Sequence, residues 1–280
     1  MTNLYEMNCV FCGAVKNCGF YLENVFKNIE QLGTLFENYA IVLYLDKSTD
    51  NSHELLKDYM QKYPNLMFYY NSTPVSKLRT HRLAHARNEC LKIVYSKFRD
   101  YPYFIMMDFD DVCSQPVKID ALKKYLHEDT WDALSFNKNP YYDIWALSIH
   151  PYVVSFLHLQ KINWNERVRD IDKKYELQHY VSKILEKSTS LVPCISAFNG
   201  FAIYRTSKFI NCYYDGRLRL DLIPQNYLGS TLNITKNMVK FKKVGSECSK
   251  IEDCEHRSFH IMAKNRNRAR IMIAPEILFD

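Results

Sequence analysis

Three acidic residues follow a run of apolar residues in the stretch "YPYFIMMDFDDVCSQP", which spans 101–116. These residues are Asp108, Asp110 and Asp111. Unpaired charges are costly to bury, so a carboxylate cluster at the end of an apolar strand lies where the strand leaves the core, close to water, cations or ligands. A solvated turn is the better explanation for any single aspartate after a strand. The position of the cluster relative to the neighbouring elements therefore indicates whether it is a turn or a binding site.

Apolar strands alternate with amphipathic helices along the first part of the chain. Strands are predicted at 8–15, 39–46, 65–71 and 103–108, and helices at 21–36, 52–63 and 78–98. Strands that are apolar nearly throughout and alternate with helices indicate a mostly parallel sheet covered on both faces. Ligands bind beyond the carboxyl ends of such strands, and Asp46 and Asp108 end two of them. The sequence therefore predicts one crevice that receives acids from two separate strands.

The pattern after residue 116 is less regular. A helix is predicted at 116–126, a strand at 131–137, a connection at 139–152, a helix within 160–188, and a helix followed by a strand at 254–278. The apolar stretch 194–205 is predicted to be a core strand that Asn199 and Gly200 interrupt. Because no repeat, low-complexity tract or linker divides the chain, we expect one large α/β domain.

The composition is that of an ordinary globular protein. Of 280 residues, 47% are hydrophobic and 24% are charged, and the formal net charge is +6. Lysines and arginines concentrate in 236–243 and 264–270, which is compatible with an anionic donor or contact with a membrane surface. No nucleic-acid-binding module accompanies them, so no nucleic-acid partner is predicted. We also expect neither a transmembrane segment nor a signal peptide, because no apolar run is long enough and the amino-terminal residues lack a basic region.

Cysteine and histidine spacing argues against a zinc site. The nine cysteines are scattered without a framework, which predicts a reduced protein in the cytoplasm, or in the host cytoplasm if the protein is viral. Cys9 and Cys12 form a CxxC, but a strand would point their side chains to opposite faces. His256 and His260 have the spacing of a zinc peptidase helix, but Arg257 stands where that motif requires glutamate.

Four segments of the first half contain acidic residues, amides and an arginine that could bind a ligand. They are "VKNCGFYLENVFKNIEQL" (15–32), "YLDKSTDNSHELL" (44–56), "LAHARNECL" (83–91) and "FIMMDFDD" (104–111). In order and spacing they resemble the donor-binding half of nucleotide-sugar glycosyltransferases with the GT-A fold, particularly the inverting family-2-like group. The segments "YYDIWAL" and "FNGFAIYR" are similar to fungal capsule mannosyltransferase-type enzymes and related giant-virus proteins. The resemblance implies a Rossmann-like GT-A domain in which 1–115 is the nucleotide-sugar donor-binding half and 116–280 the acceptor-binding and catalytic half.

The resemblance also implies a metal-dependent donor site. A nucleoside diphosphate leaving group gains negative charge as the glycosidic bond breaks, and a hard divalent cation, Mn²⁺ or Mg²⁺, neutralises that charge. Asp108-Phe-Asp110 matches the family's DxD motif. Asp110 is expected to bind the metal directly, and Asp108 to contact the ribose or a metal-bound water.

Further donor contacts are expected from a turn and a helix. The turn "LDKSTDNS" resembles the family's acidic turn that binds base and ribose. Lys47 stands where a second aspartate is common, so Asp46 and Asp50 are expected to carry the role, with a capping turn as the alternative. Arg87, in an Ala-Arg-Asn that matches the family, requires an anion, which is either a carboxylate such as Asp108 or a diphosphate.

The second half supplies the candidates for binding the sugar. Asp143 and Trp145 are expected to hold it by a hydrogen bond and a stacking face, with core packing as the alternative for Trp145. Asn199 and Gly200 would let the backbone approach the donor or the acceptor, with a simple bulge as the alternative.

The segment "EDCEHRSFH" (252–260) stands where family-2-like enzymes carry an acidic motif at the start of a helix that faces the acceptor. Glu255 is expected to be the general base that removes the acceptor's proton, with Asp253 in reserve. His256 stands where the family has aspartate, and it is either a third metal ligand or a polar residue of the first turn. If transfer retains configuration, Glu255 would only hold the acceptor.

The predicted function is transfer of a hexose or pentose from a UDP- or GDP-sugar to a hydroxyl group of a glycan, a protein-linked glycan or a lipid. A sugar nucleotidyltransferase is a weaker alternative, because "GAVKNCGFYLEN" is not a glycine-rich basic loop. A sugar-binding or scaffolding protein with a decayed site is the other alternative. The intact DxD and acidic turn argue against it.

Overall fold

A central eight-stranded sheet runs through the part of the chain that the computed structural model describes, which is residues 7–161, 170–229, 237–239 and 252–280. Its strands are β1 (Cys9–Val15), β2 (Tyr39–Asp46), β3 (Leu66–Asn71), β4 (Tyr103–Met107), β5 (Ala133–Asn137), β7 (Val192–Cys194), β8 (Phe201–Arg205) and β10 (Ile271–Ile277). The strand order is β3-β2-β1-β4-β8-β5-β10-β7. A separate antiparallel pair joins β6 (Leu159–Lys161) to β9 (Asn237–Val239).

Most neighbouring strands of the sheet are parallel. Strands β1 to β4 are parallel to one another, and β10 is parallel to β5. Strand β8 lies antiparallel between β4 and β5, and β7 is antiparallel to β10. The predicted α/β domain with a mostly parallel sheet is therefore confirmed, with β8 as an antiparallel strand inserted between two parallel groups.

Helices cover both faces of the sheet. They are α1 (Gly19–Gly33), α2 (Ser52–Lys62), α3 (Arg79–Lys97), α4 (Ile119–Lys123), α5 (Asp170–Lys187), α6 (Thr206–Phe209) and α7 (Glu255–Asn267). Apolar side chains of α1, α2 and α4 pack in the core on one face, and those of α3, α5 and α7 pack on the other. None of the described helices is both long and apolar enough to cross a membrane.

Burial on both faces explains why the strands are apolar nearly throughout. In β1, Val10 and Cys12 belong to one core, whereas Cys9 and Phe11 belong to the other. The period of two along a strand sends these pairs to opposite faces, and both faces are dry. The predicted separation of Cys9 from Cys12 is thus confirmed, and the CxxC is structural.

The chain between 192 and 205 differs from the single strand predicted there. Strands β7 and β8 lie at separate places in the sheet, and the segment between them includes Asn199 and Gly200, whose φ angles are 57° and 88°. Two consecutive residues in the left-handed region redirect the chain, which an extended strand cannot do. Helix α4 is also shorter than the predicted 116–126. The basic run at 236–243 lies mostly outside the described residues.

The strand directions place one edge of the sheet at the predicted site. Parallel strands β2 and β4 end there, and antiparallel β8 begins there, with Phe201 opposite Met107. The backbone N–H of Asp108 donates to the carbonyl of Gly200 at 2.8 Å. The turn after β4 is therefore tied to the turn that precedes β8.

Candidate active site

Two adjoining cavities open at this edge and share Arg79, Leu83 and Asp108. The first cavity, of about 210 Å³, is lined by the acids Asp46, Asp108 and Asp110 and by the cations Lys16, Arg79 and Arg82. The second cavity, of about 310 Å³, has Arg87, Asp143, Trp145, Glu255 and His256 in its wall besides the shared residues. The predicted convergence of Asp46 and Asp108 on one crevice is confirmed.

The carboxylates of Asp108 and Asp110 lie in surroundings that disfavour their charge. Burial, followed by the nearby Asp110, raises the pKa of Asp108 to about 7, although Arg87 offsets part of the shift. Burial, followed by Asp111, also raises the pKa of Asp110. The Oδ1 atom of Asp110 is buried and has no hydrogen-bond partner in the described part of the chain. A bound cation would offset the repulsion between the two carboxylates and would give Oδ1 of Asp110 a partner.

The fit of a divalent cation rests on these two carboxylates alone. Within the described ranges, no group of three or more His, Cys, Asp or Glu side chains is arranged to hold a metal, so Asp108, Asp110 and His256 do not form a three-ligand site. Mg²⁺ commonly binds through one or two carboxylates, with substrate phosphates and water completing its shell. The pair Asp108 and Asp110 fits that kind of site.

His256 is held by aromatic rings instead. Its imidazole stacks on Phe198 with ring centroids 3.7 Å apart, and it meets Tyr214 edge to face. Burial, followed by the charge of Arg87, lowers the pKa of His256 well below its usual value, so the ring is neutral. It forms part of the wall of the second cavity and does not line the first.

Arg87 is a buried cation between two acids. Its Nη2 donates to Oδ1 of Asp108 at 2.9 Å, and its Nη1 forms an ion pair with Oε1 of Glu255. The guanidinium also lies 4.9 Å from the centre of the Phe198 ring and 5.9 Å from that of Tyr214. Of the two anions predicted for Arg87, the structure shows the carboxylate. Arg87 therefore links the carboxyl end of β4 to the start of α7.

Asp46 and Asp50 occupy different positions. Asp46 lines the first cavity, where its Oδ2 lies 3.3 Å from Nζ of Lys16 and 3.7 Å from Nε of Arg82. Asp50 lines neither cavity. Its Oδ2 accepts from the backbone of Gly19 at 2.9 Å, and its Oδ1 accepts from the backbone and the hydroxyl of Ser52. Asp50 thus joins the turn to the first residues of α1 and α2, as the capping alternative proposed.

Asn199 and Gly200 position their neighbours and line neither of the two cavities. The Oδ1 of Asn199 accepts from the backbone N–H groups of Tyr142 and Asp143, both at 2.9 Å, and its Nδ2 donates to the carbonyl of Phe136. A Cβ on Gly200 would lie 2.6 Å from Cγ1 of Val112, so a side chain has no room there. One turn therefore fixes both Asp108 and the segment around Asp143.

Asp143 and Trp145 line the second cavity. The Oδ1 of Asp143 accepts from the backbone N–H of Ala146 at 3.0 Å. Burial raises the pKa of Asp143, although that hydrogen bond and nearby arginines offset part of the shift. The indole N–H of Trp145 is buried without a partner among the described residues. Trp145 thus lines the second cavity, and its ring also packs against the core, so both of the interpretations given for it stay open.

The two predicted bases at the start of α7 are both paired with arginines. Glu255 is buried in the second cavity's wall and pairs with Arg87. Asp253 lines neither cavity, and its Oδ2 accepts from Nε of Arg257 at 2.9 Å. Arg257 also donates to the carbonyl of Leu147 at 3.0 Å. Arg257, held by Asp253, therefore joins α7 to the chain segment near Trp145 through hydrogen bonds to carbonyl groups.

The cations of the first cavity were not predicted from the sequence. Lys16 follows β1, whereas Arg79 and Arg82 lie in the first turn of α3. Arg79 and Leu83 stand eight and four positions before Arg87, which places all three on one helix face. That spacing is the signal that identifies Arg79 once Arg87 has been placed in the site.

The family model described as "Glycosyl transferase family 2" matches residues 14–209, which is more than half of the chain. The protein belongs to glycosyl transferase family 2, and the fold with its edge of acids is that of a GT-A glycosyltransferase. Comparison with curated proteins gave no match.

Three solved structures illustrate the similarity. The crystal structure of S. aureus TarS 1-349 is 13% identical with a TM-score of 0.48, and the match covers 98% of this chain and 59% of that one. The same TarS fragment in complex with UDP-GlcNAc is 13% identical with a TM-score of 0.49 and coverages of 98% and 57%. The mannosyltransferase PcManGT from Pyrobaculum calidifontis, in complex with GDP-Man and Mn²⁺, is 20% identical with a TM-score of 0.37 and coverages of 49% and 37%. The chain thus spans about three fifths of the TarS fragment.

Proposed function

We propose that the protein transfers a sugar from a UDP- or GDP-sugar to a hydroxyl group of a glycan, a protein-linked glycan or a lipid. The observation that carries the proposal is the pair Asp108 and Asp110, two half-buried carboxylates of raised pKa. Asp108 lines both cavities, and Asp110 lines the first. Membership of glycosyl transferase family 2 supplies the class of reaction.

The first cavity suits a nucleoside diphosphate. Lys16, Arg79 and Arg82 give it cationic groups for phosphate oxygens, and Asp46 offers a carboxylate that can accept a hydrogen bond from a ribose hydroxyl. Mn²⁺ or Mg²⁺ would be held by Asp108 and Asp110, and when bound it would neutralise the charge that develops on the diphosphate. The chain's own residues bind and orient the donor so that the sugar lies toward the second cavity.

The second cavity suits the sugar and the acceptor. Trp145, Tyr142 and Phe198 give it aromatic walls, and Asp143 gives it a polar group. An aromatic face with a nearby carboxylate matches the alternating apolar and hydroxyl surfaces of a sugar ring. Lys174 and Glu255 line the same cavity. A cytoplasmic location and contact with a membrane surface stay predictions.

The proposal predicts that the protein releases UDP or GDP from a nucleotide sugar when Mn²⁺ is present. The panel should contain UDP-GlcNAc, UDP-glucose, UDP-galactose, UDP-xylose and GDP-mannose, first with water and then with sugar acceptors. Because the two carboxylates need a cation to hold the diphosphate, EDTA should remove the activity and added Mn²⁺ should restore it. Binding of a donor without any cleavage, with or without metal, would instead indicate the decayed sugar-binding protein.

Substitutions of the two acids in the turn after β2 should have different effects, one on nucleotide binding and the other on stability. Asp46→Asn should weaken UDP or GDP binding by roughly tenfold, because a charged acceptor in the first cavity is lost, and should leave the melting temperature nearly unchanged. Asp50→Asn should lower the free energy of unfolding by about 1 kcal/mol, because its bonds to Gly19 and Ser52 weaken, and should leave nucleotide affinity unchanged. Calorimetric titration and thermal melting of both variants test this. Equal affinity for wild type and Asp46→Asn would remove Asp46 from the donor site.

A further inference from the structure

We propose that Asp143, and not Glu255 or Asp253, is the carboxylate that takes the proton from the attacking hydroxyl. This inference rests on the proposed transferase function and assigns a catalytic residue of the second cavity. A proton acceptor must reach the acceptor's hydroxyl, must be held in a fixed direction, and must keep enough proton affinity to act. The three candidate carboxylates, Asp143, Glu255 and Asp253, differ in these respects.

Access to the second cavity excludes Asp253. Asp143 and Glu255 both line that cavity, together with Asp108 and Trp145. Asp253 does not line it, and both of its oxygens are engaged, one by the backbone N–H of Cys254 and one by Arg257. Its carboxylate fixes the start of α7 and lines neither cavity.

Glu255 and Asp143 differ in whether they form an ion pair. Glu255 is buried, and its Oε1 is engaged in an ion pair with the guanidinium of Arg87. Arg87 and Arg257 are both engaged with other acids, and no cation in the described ranges forms an ion pair with Asp143. Asp108 and Glu255 in the wall of this cavity both pair with Arg87, so Asp143 is its carboxylate without an ion-pair partner among the described residues.

The orientation of Asp143 is fixed by neutral groups. Its Oδ1 accepts from the backbone N–H of Ala146 at 3.0 Å, and its own backbone N–H donates to Asn199 at 2.9 Å. These bonds hold the side chain without neutralising its charge, and they engage only one of its two oxygens. Burial also raises the pKa of Asp143, which favours proton uptake, against smaller opposing effects of the hydrogen bond from Ala146 and of nearby arginines.

In the proposed transfer, each bond that forms is matched by a bond that breaks. The acceptor oxygen forms a bond to the anomeric carbon as the bond from that carbon to the diphosphate oxygen breaks. The hydroxyl proton passes to the free oxygen of Asp143, and the bonding electron pair leaves with the nucleoside diphosphate. With water in place of the acceptor, the same steps hydrolyse the donor.

Azide distinguishes a missing base from a damaged site, because azide attacks as an anion and has no proton to lose. We expect Asp143→Asn to slow Mn²⁺-dependent nucleotide release in water by roughly a hundredfold or more. Sodium azide should restore release to within about tenfold of wild type and yield a glycosyl azide. Donor affinity should stay unchanged. The probe is the sugar nucleotide that wild type cleaves best, and asparagine retains the oxygen that accepts from Ala146.

Glu255→Gln and Asp253→Asn are the matched variants. Their losses should not recover with azide, because these changes loosen Arg87 and Arg257 rather than remove a base. Recovery of Glu255→Gln alone would make Glu255 the base. A normal rate in Asp143→Asn, or a loss confined to donor affinity, would also overturn the assignment. If Asp143→Asn melts early, Asp143→Ser, whose hydroxyl also accepts from Ala146, replaces it. Failure of the proposed function looks different, since wild type itself would then cleave no donor.

Discussion

Asp110→Asn should lose metal-dependent donor cleavage by roughly a thousandfold or more, because the proposed site uses Asp110 as a direct ligand to the cation. Its free energy of unfolding should be unchanged or raised. The pKa of the Asp110 carboxyl is raised by burial and by Asp111, so folding is opposed by its charge near neutral pH. Neutralising the side chain removes that opposition. Nucleotide release with Mn²⁺ and denaturant unfolding in EDTA measure the two effects.

Asp111→Asn is the matched control, because Asp111 is the exposed neighbour in the same turn and lines neither cavity. It should change the rate by no more than a few fold while keeping the dependence on Mn²⁺. Full metal-dependent activity in a folded Asp110→Asn protein would refute the proposed metal site. Equal losses in the two variants would show that the general charge of the turn matters rather than one ligand.

Arg87→Met should have the largest effect on stability. The guanidinium lies between Asp108 and Glu255, and Glu255 is buried, so methionine leaves a buried carboxylate with no counter-ion. Breaking one partner out of a buried ion pair typically costs about 3–5 kcal/mol. Urea unfolding at neutral pH, with the slope against urea compared between the proteins, measures the loss.

A second substitution shows whether the cost comes from the stranded charge. Arg87→Met combined with Glu255→Gln should be more stable than Arg87→Met alone, because the glutamine carries no charge to bury. Asp50→Asn in the same background is the matched control, since Asp50 lies outside this cluster. A double variant whose losses simply add would show that Arg87 stabilises the protein through its packing on Phe198 and Tyr214.

The strands of the first half could be predicted closely because burial on both faces leaves an unbroken apolar run. Strands β1 to β4 match the predicted ranges to within a residue or so, and the apolar face of α1 is the one expected. The stretch 194–205 was harder, because apolar residues on both sides of Asn199 are equally compatible with one strand. Only the pairing partners of β7 and β8 distinguish one strand from two.

The sequence was sufficient to locate those site residues that lie at the ends of strands or on the helix α3. Asp46, Asp108 and Arg87 could be placed because strand ends and the helix that follows are local features. The roles of Asn199 and Asp50 depend on which backbone N–H groups lie opposite them, and these are distant along the chain. Likewise, the arginine partner of Glu255 comes from another helix, so the sequence gives no sign of it.

Strand β8 has a consequence for how the chain acquires its shape during synthesis. Without β8, which lies outside residues 1–115, β4 would pair with β1 on one side and would leave its backbone hydrogen-bonding groups exposed on the other. An apolar edge strand of that kind pairs readily with other chains. The edge closes when 201–205 arrives from the other half and docks between β4 and β5. A fragment that ends at residue 115 would therefore carry β4 as an unprotected strand edge, which predicts aggregation of that fragment.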